Sequence, residues 1–155
     1  MNTLALFDET TAKPIVFTVY GKPEPAGSKR GFAFKRKTGG MGVAISDANP
    51  KSRDWKNSIT HRAREEYHGE LLDGPLSLSL VFHLPRPKGH FGKRGLRDSA
   101  PRHITTKPDV LKLARAVEDA LTGVVWRDDS QIVIETLAKH YGEPARVEIA
   151  VSVFP

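Results

Sequence analysis

Asp109 and the adjacent pair Asp128-Asp129, twenty positions further along, carry the side chains of this 155-residue sequence best suited to metal-assisted chemistry. Two carboxylates held about 4 Å apart repel by about 4 kcal/mol at an effective dielectric of 20. A convergent set therefore calls for a cation or a raised pKa. All-oxygen ligands suit a hard ion, Mg2+ or Mn2+, which keeps several waters. One such water is a nucleophile toward phosphorus while the ion neutralises charge on the phosphate oxygens. The same residues also read as a polar turn at Asp128-Asp129-Ser130 and an ordinary helix-start residue at Asp109.

The helix that would position Asp109 runs over about 109–121. Thr106 is placed to cap it, and Pro108 falls in its first turn, where a missing N–H costs nothing. At about 100° per residue, Val110, Leu113, Ala114, Val117, Ala120 and Leu121 make one apolar arc. Lys112, Arg115 and Asp119 fall opposite, and Leu111 is the apolar exception among them. Arg115 and Asp119 also stand at ion-pair spacing. Gly123 ends the helix. The chain then passes Trp126, expected to anchor in the core, before reaching the aspartate pair, and a loop folding back along the helix would carry those carboxylates toward Asp109.

The remaining elements are read from pattern. Residues 1–13 are expected to be a frayed N-terminus, with one domain over 14–155. Ile15–Tyr20 is a strand by its β-branched and aromatic content, and 21–31 a loop by its Pro and Gly. Phe32–Phe34 and Val43–Ile45 pair as a hairpin across a Lys/Gly-rich turn. Pro50–His68 is a helix whose Trp55, Ile59, Ala63 and Tyr67 share a face. Leu76–Leu84 alternates as a strand, 85–106 is a long polar connection that is functional or mobile, and Gln131–His140 and Arg146–Phe154 close the chain as strands. The order predicts an α+β fold: one small mixed or antiparallel sheet with two main helices.

Charge is distributed unevenly. Lys and Arg number 24 against 18 Asp and Glu, for a net charge of +6. Residues 22–64 hold eleven of these cations and 85–107 seven, so two positive segments accompany the aspartates, both preceding them in the chain. A phosphodiesterase needs that arrangement, cations to hold the backbone by counterion release and acids to hold a metal; solvated basic loops are the plainer reading. With no cysteine, disulfide scaffolds, thiolate zinc sites and cysteine nucleophiles are excluded. No stretch approaches the roughly 20 apolar residues of a membrane span, and the N-terminus has neither the basic nor the apolar region of a secretory signal. The expectation is a soluble, intracellular protein.

The run Lys107-Pro108-Asp109, the helix carrying Lys112-Leu113, Arg115-Ala116 and Asp119-Ala120-Leu121-Thr122-Gly123, and Val124-Val125-Trp126-Arg127-Asp128-Asp129-Ser130-Gln131-Ile132 together resemble the signature of the RusA family of Holliday-junction resolvases over residues 106–133. The resemblance implies a homodimeric Mg2+-dependent (or Mn2+-dependent) endodeoxyribonuclease of phage type, acting on four-way or branched DNA in the bacterial cytoplasm. It implies Asp109, Asp128 and Asp129 as metal ligands, with Asp109, Asp129 and Arg115 catalytic. Arg115 stands where the family has a catalytic lysine or another basic residue; always protonated, it suits phosphate neutralisation rather than proton donation. The sequence departs from the pattern at Leu111, where the family commonly has a second aspartate.

On this reading the DNA is gripped by Ser28, Lys29, Arg30, Lys35, Arg36 and Lys37 in one basic loop, by Arg86, Lys88, Lys93 and Arg94 in the other, and by Lys107. Phe32 and Phe34 are either core or base-stacking wedges. His61 and Glu65, four apart, lack a second histidine for metal binding, and His103 is noted only for its closeness to the Lys-Pro-Asp turn. Two further functions stay open: a non-catalytic protein binding branched or single-stranded nucleic acid, favoured by Leu111, and a less selective metal nuclease.

Overall fold

The computed structural model describes residues 13–27, 29–47 and 49–154. Ser28, one of the expected DNA contacts, lies outside the described residues, as do the side chains of Lys29 and Arg30 and the expected frayed N-terminus apart from Lys13.

The alternation expected of strand β4 (Leu76–Leu84) is complete. Leu76, Leu78, Leu80 and Phe82 are fully buried on one face, and Ser77, Ser79, Val81 and His83 are half-buried on the other. Around it lie β1 (Ile15–Tyr20), β7 (Ile132–Tyr141) and β8 (Arg146–Val153), in the order β1-β8-β4-β7. The pairs β1–β8 and β8–β4 are antiparallel and β4–β7 is parallel. The sheet is therefore mixed. Parallel pairing at β7 requires a crossover, which the chain makes through its second helix.

Two helices cover the same face of this sheet. Helix α1 (Pro50–Glu66) is capped by the Asn49 side chain, which accepts from the Lys51 N–H, and buries Trp55, Ile59 and Ala63 as their spacing predicts. Helix α2 (Val110–Leu121) buries Leu113, Ala114, Ala116, Val117, Ala120 and Leu121. Leu78, Leu80, Phe82, Val147, Ile149 and Val151 meet them from the sheet. Trp126, fully buried as expected, donates from its indole N–H to Thr122 Oγ1 at 3.1 Å.

Two expectations are revised. Thr106 does not cap α2: the N-cap is Asp109 in extended conformation, with Pro108 outside the helix. The carbonyls of Thr106 and Pro108 instead bind the Lys139 ammonium, which holds the turn away from helical geometry. Phe32 and Phe34 are not core. Strands β2 (Lys29–Lys35) and β3 (Met41–Asp47) form a separate two-stranded ribbon in which Phe32, Phe34, Met41, Val43 and Ile45 are all exposed. The 85–106 connection, whose nature the sequence left open, contains a one-turn 3-10 helix at Lys88–His90 and a short ribbon, β5 (Phe91–Gly92) with β6 (Gly95–Leu96).

Leu80 lies at the centre of the core with no exposed surface. Its truncation to alanine is expected to destabilise the fold by about 2–5 kcal/mol, read as a lower urea midpoint at unchanged slope.

Candidate functional site

Burying its apolar arc turns the opposite side of α2 toward solvent and toward β7. Leu111, Arg115 and Glu118, spaced four and three apart, form a stripe along that side. On β7, Glu135, Leu137 and Lys139 pair in register with the buried Leu78, Leu80 and Phe82, so they share the helix-covered face. The strip between α2 and β7 therefore carries charged groups at both ends.

At the α2 N-terminus, Asp109, Leu111, Lys112, Arg115 and Lys139 line one depression of about 540 Å3. Asp109 makes no side-chain hydrogen bond to cap its helix, which leaves its carboxylate toward the depression. Arg115 is exposed in the same space and does not pair with Asp119, which instead binds Lys56 Nζ at 2.9 Å and ties α2 to α1. Lys139 donates to Thr106 O and Pro108 O, both at 2.9 Å, fixing the turn that leads into Asp109. Leu111 is 69% exposed here.

The other end is acidic. Burial, then a side-chain hydrogen bond shared with Glu135 and the charges of Glu135, Asp129 and Asp119, push the Glu118 carboxyl up from 4.5 to about 7. Asp129 begins a short 3-10 turn, Asp129–Gln131, capped by Asp128. Hydrogen bonds from Ser130, one of them its backbone N–H at 2.8 Å, hold the Asp128 carboxyl below its usual range. Gln131 locks this turn to the body: Oε1 accepts from the Arg127 and Asp128 N–H groups, and Nε2 donates to Leu72 O and Gly74 O.

Asp109 and Glu118 are nine residues apart, about 13 Å along the helix axis. Among the described residues no group of three His, Cys, Asp or Glu side chains could hold a metal ion. The expected gathering of Asp109, Asp128 and Asp129 into one cage is therefore not found within the chain. The physical reason is that Asp109 caps the near end of α2, whereas Asp129 acts on Glu118 toward the far end. His61 and Glu65 form only an exposed surface pair.

Two further depressions extend the first. One of about 380 Å3, between the 22–27 loop and the start of α2, shares Asp109 and Lys112 with it. The next, of about 390 Å3, shares Lys22, Leu84, Lys107 and Pro108 with the second and continues to Arg86, Lys88 and Tyr141. Together they make a continuous groove with Asp109 near its middle. Along it stand Arg115, Lys139, Lys112, Lys22, Lys107, Arg86 and Lys88, against the acids Asp109 and Glu24. The Arg86 guanidinium lies 4.3 Å over the Tyr141 ring and donates to Pro101 O at 2.8 Å.

Of the expected DNA contacts, Arg86, Lys88 and Lys107 line this groove. Lys35, Arg36 and Lys37 sit at the end of the β2–β3 ribbon, and Lys93 and Arg94 at the β5–β6 turn; none of these five lines the three depressions. Sequence reasoning missed Lys22, Lys112, Glu118, Glu135 and Lys139 as site residues. Glu118 was detectable as the third member of the 111–115–118 stripe; nothing in the sequence alone sets β7 against α2.

The chain belongs to the family described as endodeoxyribonuclease RusA, whose model matches residues 23–152. It is also 32% identical over 140 residues to YqaN, an uncharacterized protein of Bacillus subtilis strain 168, covering 88% of this chain and 94% of that one. No helix among the described residues is long and apolar enough to cross a membrane.

Because the folded state holds the Glu118 proton more tightly than the unfolded chain does, stability falls as pH rises from about 4.5 to about 7. Glu118→Gln is expected to remove this component. Its stability relative to wild type should rise across that window, and thermal melting at pH 5 and pH 8 measures the difference.

Proposed function

We propose that this RusA-family chain resolves four-way DNA junctions by paired phosphodiester hydrolysis, as a homodimer dependent on Mg2+. The observation that carries the reading is the continuous cationic groove with Asp109 at its middle. Seven cations along one groove suit the sugar-phosphate backbone of a DNA strand, whose counterions they would displace. An exposed carboxylate among them is out of place in a site that only binds. Two active sites are needed for two nicks, which two-fold symmetry provides.

The donor chemistry fits Mg2+ in a particular way. That ion is commonly held by one or two carboxylates, with waters and substrate phosphate completing the shell, rather than by an all-protein cage. Within one chain Asp109, Asp128 and Asp129 do not converge, so the ion would sit on Asp109 or on the exposed Asp128-Asp129 pair rather than on all three. When bound, it would supply charge neutralisation at the phosphate and a water of lowered pKa. The chain's own groups do the rest. Arg115 offers a permanently charged fork to a phosphate oxygen beside Asp109. Lys139, anchored on two carbonyls, keeps the turn before Asp109 in place. The Glu118–Glu135 pair retains a proton close to neutrality, so it can receive or release one at the edge of the site. A DNA substrate places the work in the cytoplasm of a bacterial host.

Leu111 supports a second reading, a junction-binding protein that does not cut. Its side chain is apolar and exposed beside Asp109, at the position where the family resemblance leads one to expect another carboxylate. A labelled four-way junction, incubated with Mg2+ and with chelator, decides between the two. Paired nicks in Mg2+ only, reduced by about 10²–10³-fold in Asp109→Asn, Asp129→Asn and Arg115→Ala, are expected. Tight binding without cleavage by the wild-type protein would establish the binder, and cleavage gained by Leu111→Asp would then locate the missing ligand.

A further inference from the structure

The longest strand of the main sheet lies at its edge. β7 runs for ten residues, against six in β1, nine in β4 and eight in β8. It pairs on one side only, with β4. Among the described residues its outer N–H and C=O groups meet no other strand and no loop backbone. Such a row of ladder groups is a template for another strand, and proteins usually blunt it with proline, a bulge or a short length. β7 has no proline, and past one irregularity at Val133 its register is even to Tyr141.

Its side chains specify which strand fits. Glu135, Leu137 and Lys139 share the helix-covered face, so acid and cation stand symmetrically about a leucine. Two copies set antiparallel about a two-fold axis through Leu137 place Glu135 opposite the partner's Lys139, and Lys139 opposite the partner's Glu135. Directly opposed residues have Cβ atoms about 4.5–5.5 Å apart, within ion-pair reach for these side chains. Moving the axis to 136 or 138 sets Lys139 against the partner's Val133 or Leu137. An axis between residues turns the two helix-covered faces to opposite sides. Charge and burial together therefore select one register. Lys139 keeps a donor for it, since Thr106 O and Pro108 O take two of three.

We propose that β7 pairs with β7 of a second copy in this register, joining two four-stranded sheets into one; this names the interface of the homodimer proposed above and rests on that reading. The axis stands perpendicular to the sheet, so both Asp109 depressions open on the same side. Lys139 lines that depression with Asp109 and Arg115, and the partner's Glu135 joins it there. Each site thus gains a carboxylate that its own chain does not place at that end. The two Lys139 residues stand four positions apart along the paired strands, about 13 Å, so register fixes the spacing between the sites.

Sedimentation equilibrium and disulfide trapping test the pairing. The wild-type chain is expected to be dimeric. Glu135→Lys sets lysine against lysine at both ends of the interface and should raise the dimer dissociation constant at least about tenfold. The register is read by cross-linking, since the chain has no cysteine of its own. On the open face Thr136 lies opposite the partner's Ala138. Thr136→Cys and Ala138→Cys chains, mixed, re-equilibrated and oxidised, should give a disulfide-linked heterodimer. Either variant alone should not, because its cysteines are then diagonal neighbours roughly 7–8 Å apart, too far to bridge. A dimer that Glu135→Lys leaves intact, or that yields no mixed cross-link, overturns this interface and leaves the homodimer reading standing. A wild-type chain that is monomeric at every concentration overturns both.

Discussion

The site exists because α2 has only one way to bury itself. Its apolar arc is broad enough to settle on the sheet and too broad to roll, since rotation by one residue would bring Lys112 or Arg115 into the core. Docked in that orientation, the helix must show Leu111, Arg115 and Glu118 to the outermost strand. The parallel pairing of β7 with β4 supplies the other half of the constraint. Register with Leu78, Leu80 and Phe82 commits Glu135 and Lys139 to the same face. Hydrophobic burial and strand register, neither of which concerns catalysis, thereby decide which charges meet.

Those charges are arranged at some cost to the fold. An acidic pair that keeps a proton near neutrality is a destabilised pair, and Asp119, one of the charges acting on it, is itself paired with Lys56. At the other end of the helix the excess is positive. The strip between α2 and β7 therefore has a polarity along its length, with cations around Asp109 and carboxylates toward Asp129. A polyanion would lie with its phosphates among the former, and a cation would be drawn toward the latter.

Periodicity made the local elements readable. The α1 spacing, the β4 alternation and the α2 arc each appear as the sequence suggests, because burial acts on the same period that defines the element. The turn before α2 was misread because Thr and Pro are good helix starters in isolation, whereas here a lysine from thirty residues away claims their carbonyls. The β2–β3 ribbon differs: its pairing is local and visible, but whether its aromatic residues are core or exposed is not, and among the described residues they are exposed. The site was half legible. Asp109, Arg115, Lys107, Arg86 and Lys88 follow from motif and charge. Lys22, Lys139, Glu118 and Glu135 depend on which segments become neighbours, and that is a property of the sheet order rather than of any stretch of chain.

The walls of the groove are fastened by Ala26 to Lys112, by Asn49 to Pro25 and by Lys139 to Thr106 and Pro108. Walls fastened in this way give the groove a set gauge, and accommodation falls on whatever enters it. Continuous duplex is stiff over so short a span, whereas the arms of a branch pivot freely where the strands part. On the proposed function, a preference for branched over linear DNA would arise from the compliance of the nucleic acid, with the protein acting as a fixed template.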